Sequence, residues 1–183
     1  MSTSLIWRHL TLGTHRSWLP GDPRGFHTRH HKTHSSGDYR TPPPPGEHLG
    51  LQQRSAQSGT PITIPTQLRG TIGRAFIQHL DTPQLLAIAV AGQHLHALAK
   101  LPADTAQTRR IVGQAKRKSS RAARHALPGR IWAAGGSYLP IRDRSHHRNA
   151  FNYILSHANQ GAWTWRFDET PSIPDAALRS ASS

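Results

Sequence analysis

The stretch LLAIAVAGQHLHALAKL, residues 85–101, decides the fold. Its first part, Leu85 to Val90, is a continuous apolar run that is short enough for one buried strand. Ala91-Gly92-Gln93 provides a turn, and the alternation from His94 to Leu101 is typical of a partner strand. The stretch therefore predicts two neighbouring strands.

Helical periodicity lies on both sides of these strands. Before them, apolar residues recur at spacings of three and four from Leu68 to Leu80, and Asp81-Thr82-Pro83 ends that helix. After them, a very basic helix is predicted from Thr105 to about His125. A third helix is predicted over 145–160, with Ser145 as its N-cap and Gly161 as its stop.

The remaining elements are short strands. Leu5 to Gly13 is rich in apolar and β-favouring residues, and Ile131–Ala133 and Ser137–Ile141 are candidate strands. The first six elements then follow the split βαβ plan of ferredoxin-like folds. We therefore predict an α+β fold: a ferredoxin-like antiparallel sheet with helices on one face and a C-terminal helix bearing Tyr153.

The length of 183 residues has room for one compact domain, which we expect over 1–165. Residues 15–64 carry no period of 2 or 3.6 and are rich in Pro, Gly and His, so they are predicted to be a long irregular insertion after the first strand. Residues 166–183 are predicted to form a flexible tail.

The charge balance favours a polyanionic partner. Lys and Arg number 23 against 9 Asp and Glu, which gives a formal net charge of +14. Nucleic acid is the simplest such partner, although a lineage with basic composition would give the same balance. The chain has no cysteine, which excludes disulfides and thiolate chemistry. No apolar run approaches the roughly 20 residues of a membrane span, so we expect a cytoplasmic protein with no membrane partner.

Two pairs of residues could carry chemistry. His94 and His96 share one face of their strand and are natural metal ligands, although a chain with 14 histidines can contain a His-x-His pair by chance. Tyr153 and His157 share one face of the third helix. A phenol is a poor nucleophile at neutral pH unless a nearby charge or base activates it. In the alternative interpretation, Tyr153 packs among apolar neighbours and His157 faces solvent.

Taken together, the segments from about Leu85 to Trp165 resemble the HUH single-tyrosine transposases, the insertion-sequence-200-like and REP-associated families. The opening strand, which ends HLTLG at 9–13, resembles them more loosely. The matching segments are Ala91-Gly92-Gln93-His94-Leu95-His96, Ile111-Val112-Gly113-Gln114-Ala115-Lys116, Gly129-Arg130-Ile131-Trp132 and Asn152-Tyr153-Ile154-Leu155-Ser156-His157.

The resemblance implies a metal-dependent nuclease and strand transferase acting on single-stranded DNA. It implies that His94, His96 and His157 bind Mg²⁺ or Mn²⁺ and that Tyr153 attacks the scissile phosphate, leaving a 5′-phosphotyrosine link and a free 3′-hydroxyl. A homodimer is compatible with it, because in the family the tyrosine helix can be exchanged between subunits.

This sequence departs from the family at three places. His157 stands where Gln or Asn is usual and favours softer metals than Mg²⁺. Gly92-Gln93 replaces the common Pro-Asn or Pro-Asp, and the segment 15–64 is an insertion. These departures leave open a non-catalytic protein, derived from such a transposase, that binds DNA hairpins or single strands. A basic RNA-associated protein with incidental histidines is a third interpretation.

The second helix is predicted to be the main phosphate-contacting surface. Its cations are Arg109, Arg110, Lys116, Arg117, Lys118, Arg121 and Arg124. A further group of histidines, His27, His30, His31 and His34, lies in the irregular segment, where a basic surface is a simpler interpretation than a zinc site without cysteines.

Overall fold

The computed structural model describes residues 4–17, 44, 46–50, 53–54 and 59–167. The histidine group at 27–34, most of the predicted insertion and nearly all of the predicted tail lie outside the described residues.

An antiparallel sheet forms the centre of the described fold. Its strands are β1 (Leu5–Gly13), β2 (Gln84–Val90), β3 (His94–Pro102), β4 (Ser137–Pro140) and β5 (Trp163–Arg166). They are hydrogen-bonded in the order β4-β1-β3-β2-β5, and every neighbouring pair is antiparallel. The first four strands have the order of a ferredoxin-like sheet, so the predicted fold class is confirmed; β5 was not predicted.

Helices cover both faces of the sheet. Helices α1 (Thr66–His79) and α2 (Thr105–Ala122) lie on one face, where Phe76 and Val112 join a core with Leu95. Helix α3 (Arg144–Ser156) lies on the other face, where Ile154 packs with Leu98. Because successive residues of a strand point to opposite faces, β3 contributes to both cores.

Two predicted helix boundaries and one predicted strand are wrong. Asp143, not Ser145, caps α3: its side chain accepts a hydrogen bond from the His146 backbone N–H at 2.8 Å. Helix α2 ends at Ala122 rather than near His125, because its last turn tightens and the Ala123 N–H bonds to the Ser120 carbonyl. Residues 131–133 form no strand, since Trp132 makes only an isolated bridge to Thr14.

The third helix is also shorter than predicted. It ends at Ser156, and a 3₁₀ turn (His157–Gln160) follows it. Gly161 then adopts a left-handed conformation (φ 75°) that few other residues accept, and so it ends this turn as predicted. The reversal of the chain at Gly161 leads directly into β5.

Strand β5 is held against α1 by Trp163, whose ring lies over Gly73. A methyl group at position 73 would overlap that ring. We expect Gly73→Ala to lower the free energy of unfolding by about 1–3 kcal/mol, the usual range for overpacking a core. Urea denaturation measures the change.

Gly113, in α2, is the matched control for this substitution. A methyl group there meets only an Arg117 nitrogen, at 3.7 Å. Gly113→Ala should therefore raise stability by up to about 1 kcal/mol through helix propensity alone. Equal effects of the two substitutions would mean that Trp163 is not seated on Gly73.

Candidate functional site

Two histidines of the central strand point toward α3. His94 and His96 are alternate residues of β3, and Leu95 between them is buried in the opposite core. Their ring centroids are 5.0 Å apart. The two imidazoles therefore lie on the same face of the strand, as the alternation predicts.

His157 joins this pair from the end of α3. Its ring centroid lies 4.8 Å from that of His96 and 5.3 Å from that of His94. One nitrogen from each of the three rings lies within 4.8 Å of the others. His157 is only 5% exposed, so the interpretation in which it faces solvent is wrong.

Hydrogen bonds orient the imidazoles of His157 and His96. His157 Nδ1 lies 2.9 Å from the Tyr153 carbonyl oxygen, to which it must donate, and its Nε2 keeps the lone pair. His96 Nδ1 lies 3.2 Å from both Thr11 Oγ1 and His9 Nε2. With its hydrogen on Nδ1, His96 also presents an Nε2 lone pair. Histidine ligands of metals are commonly anchored through the second ring nitrogen in this way.

His96 and His9 favour the neutral state. Burial, followed by the charges of His94, His9 and His157, lowers the pKa of His96 to about 2. Burial and the charges of His146 and His157 also lower the pKa of His9. Neutral imidazole is the form that coordinates a cation. Three imidazole nitrogens this close together fit a divalent metal ion.

Tyr153 lies beside the cluster. Its ring centroid is 4.7 Å from that of His157 and 5.2 Å from that of His96. The side chain remains 49% exposed. The tyrosine therefore contacts the imidazoles and is also accessible from solvent.

His9 and Thr11 also belong to the site, although neither was predicted as a site residue. Both are on β1, which pairs with β3 so that Thr11 is opposite His96. The ring of His9 also contacts that of Tyr153, with centroids 5.8 Å apart. Trp7, His9 and Thr11 alternate along the first strand, so the polar side chains of His9 and Thr11 lie on the same face of it. This alternation is the sequence signal that could have identified the two residues.

The predicted phosphate-contacting cations are not equivalent. Six are exposed on α2 or just after it: Arg109, Arg110, Arg117, Lys118, Arg121 and Arg124. Lys116 is buried, and its Nζ donates to the carbonyls of Ala133 at 2.6 Å and Gly135 at 2.9 Å. Helix α2 lies on the face of the sheet opposite the imidazoles, so these cations do not line the histidine cluster.

None of the helices in the described part of the chain has the length and apolar character needed to cross a bilayer.

Comparison with known proteins gives one structural likeness. Neither a protein-family model nor a curated protein sequence matches this chain. Among solved structures, it is similar to a REP-associated tyrosine transposase bound to a REP hairpin, with 17% sequence identity and a TM-score of 0.43. The similarity covers 87% of this chain and 71% of that chain. A likeness of this size assigns no function to this protein.

Proposed function

We propose that this chain is a metal-dependent endonuclease and strand transferase that acts on single-stranded DNA through a 5′-phosphotyrosine intermediate. One observation carries the proposal: the accessible side chain of Tyr153 lies against two of three clustered imidazoles. An accessible phenol beside a group of potential metal ligands suits metal-assisted nucleophilic attack on a phosphodiester.

His94, His96 and His157 would hold one divalent cation. When bound, this cation polarises the scissile phosphate and stabilises the charge that develops on it. Mg²⁺ or Mn²⁺ is expected from the resemblance to the HUH transposases. Three imidazoles bind Mn²⁺ and softer ions more readily than Mg²⁺.

In the proposed reaction Tyr153 supplies the attacking oxygen. Its hydroxyl gives up a proton to solvent, and the phenolate oxygen attacks the scissile phosphorus. The new bond joins the tyrosine oxygen to phosphorus, while the bond to the 3′ oxygen breaks and that oxygen takes up a proton. His157 orients the nucleophile, because it contacts the Tyr153 ring and bonds to the Tyr153 backbone.

Single-stranded or hairpin DNA is the proposed partner. The net charge of +14 and the exposed cations of α2 support binding to a phosphate backbone. A non-catalytic DNA-binding protein would use the same cations, so the two functions differ in whether a covalent bond forms.

The test is to incubate the protein with a pool of single-stranded and hairpin oligonucleotides and Mn²⁺, and to look for a denaturation-resistant adduct. A label at the 3′ end of the DNA should move with the protein, and a label at the 5′ end should appear on a shorter free strand. Protein carrying the 5′ label would contradict the polarity. DNA binding without an adduct under Mg²⁺, Mn²⁺, Co²⁺ or Zn²⁺ would establish the non-catalytic function instead.

A further inference from the structure

A cleft of about 400 Å³ opens between α2 and the segment 129–134. Gly113, Lys116 and Arg117 line it from one face of the helix, and Arg130 and Trp132 line it from the other side. Trp132 forms an isolated β-bridge with Thr14. Thr14 follows Gly13, and Gly13 pairs with His94. The cleft is therefore at the same end of the sheet as the imidazole cluster, on the side of α2.

The cleft concentrates positive charge. Its lining includes three cationic side chains, and no described carboxylate lines it. Two backbone carbonyls hold the Lys116 ammonium, and the Arg130 Nε donates to the Trp132 carbonyl at 2.9 Å. Burial, then the charge of Arg130, lowers the pKa of Lys116 to about 8. Of the three cations only Lys116 is buried, and the two carbonyls that accept its hydrogens carry no net charge, so an anion in the cleft would supply its counter-charge.

Gly113 is a second indication of a ligand. A glycine in the middle of a helix costs stability relative to alanine, yet packing does not require one here, since only an Arg117 nitrogen lies within 4 Å of a methyl group placed at this position. The missing side chain leaves the α2 wall of the cleft open. Its volume lies within the range of small-molecule sites, about 300–1,000 Å³, which is more than inorganic phosphate fills.

We propose that this cleft binds one phosphorylated nucleotide of a DNA strand, with the phosphate against Lys116, Arg117 and Arg130. The site is separate from the imidazole cluster and needs no metal ion. This proposal rests on the proposed function only for the source of its ligand, a nucleotide that belongs to a DNA strand.

The probe is the 5′-phosphorylated dinucleotide pTpT, titrated calorimetrically into the full chain in the presence of EDTA. We expect pTpT to bind more tightly than both unphosphorylated TpT and inorganic phosphate. Equal affinity for pTpT and TpT would overturn the phosphate contact. Inorganic phosphate that binds as tightly as pTpT would make this a free-phosphate site and would overturn the nucleotide proposal.

Two variants localise the site. Arg130→Gln should weaken pTpT binding by roughly tenfold or more, the factor that one lost charge-assisted hydrogen bond represents. Gly113→Leu should weaken it as strongly by filling the cleft, while the melting temperature does not fall, because Leu forms helices far better than Gly. A stable Gly113→Leu protein with unchanged affinity would overturn the proposal.

Arg148→Gln on α3 removes the same charge from the other face and should leave pTpT affinity within about twofold. A loss equal to that of Arg130→Gln would mean that net charge, and not the cleft, binds the probe. The pTpT experiment involves no cleavage and no metal ion. A negative result would therefore not contradict the proposed reaction, and the absence of a covalent adduct would not contradict this binding site.

The pH dependence gives a further check. Lys116 faces two other cations of the cleft, Arg117 and Arg130. A Lys116 whose pKa is near 8 is charged below that pH and neutral above it. Affinity for pTpT should therefore fall as the pH rises from 7 to 9, with proton uptake on binding at pH 8. Affinity that is constant over this range would place the phosphate away from Lys116.

Discussion

Replacing Tyr153 by Phe is expected to abolish covalent attachment of the protein to DNA. The substitution keeps the ring that packs against His157 and His96 and removes only the hydroxyl. Loss of the nucleophile in covalent catalysis lowers the rate by a factor on the order of 10⁴ or more, so no adduct should be detected. The measurement is the yield of 3′-labelled adduct with Mn²⁺.

Tyr138→Phe is the matched control for this experiment. Tyr138 lies on β4, packed against the core on the α2 side, and should give adduct at the wild-type rate. Because Tyr153 is half exposed, Tyr153→Phe should change the free energy of unfolding by no more than about 0.5 kcal/mol. An adduct that persists in Tyr153→Phe would show that another residue is the nucleophile.

The second large effect is expected from His94→Ala. Removing this imidazole leaves two of the three proposed ligands, and affinity for Mn²⁺ should fall by more than about 100-fold, since loss of an outer-shell partner alone costs 10–100-fold. Calorimetry on metal-free protein without DNA measures this directly. Unchanged Mn²⁺ affinity would contradict the proposed ligand set.

Two further variants complete the metal experiment. His125→Ala removes an exposed imidazole just after α2 and should leave Mn²⁺ affinity unchanged. His157→Gln replaces an imidazole by an amide oxygen donor and should shift the preference of the site toward Mg²⁺. A His157→Gln protein whose metal preference is the same as wild type would remove His157 from the ligand set.

The strand that carries the histidines could be predicted because its evidence is local. Alternation fixes which face His94 and His96 share, and the helical spacing of four fixes Tyr153 relative to His157. Their convergence depends on α3 lying on the histidine face of the sheet, which neither local pattern contains. It was predicted only through the family resemblance.

His9 and Thr11 show what local patterns omit. They reach His96 through the pairing of β1 with β3, across more than eighty residues of sequence. That register depends on the whole sheet, and the first strand alone does not specify it.

The burial of Lys116 was not predicted, for a different reason. The density of charge on α2 was the basis of the prediction, whereas the position of each residue around the helix axis determines which side chains are exposed. Val112, Ala115 and Ser119 are buried at helical spacing, and Lys116 lies on the same stripe. Two backbone carbonyls accept hydrogens from its ammonium group there.

The position of β3 in the middle of the sheet has a consequence for native-state hydrogen exchange. Its amides are bonded to β1 on one side and β2 on the other, so they should exchange only when the whole domain unfolds.

Helix α3 packs on the sheet through a small core and should open separately, at a lower free energy than global unfolding. That core consists of Ala87, Ala89, Leu98, Ala150 and Ile154. Two proposed ligands thus belong to the most protected unit of the protein, and the third ligand and the tyrosine to a less protected one. A cation shared by the three histidines must be released before α3 opens or the domain unfolds, so it should slow exchange in both α3 and β3. Metal binding itself then decides how often the nucleophile is in place.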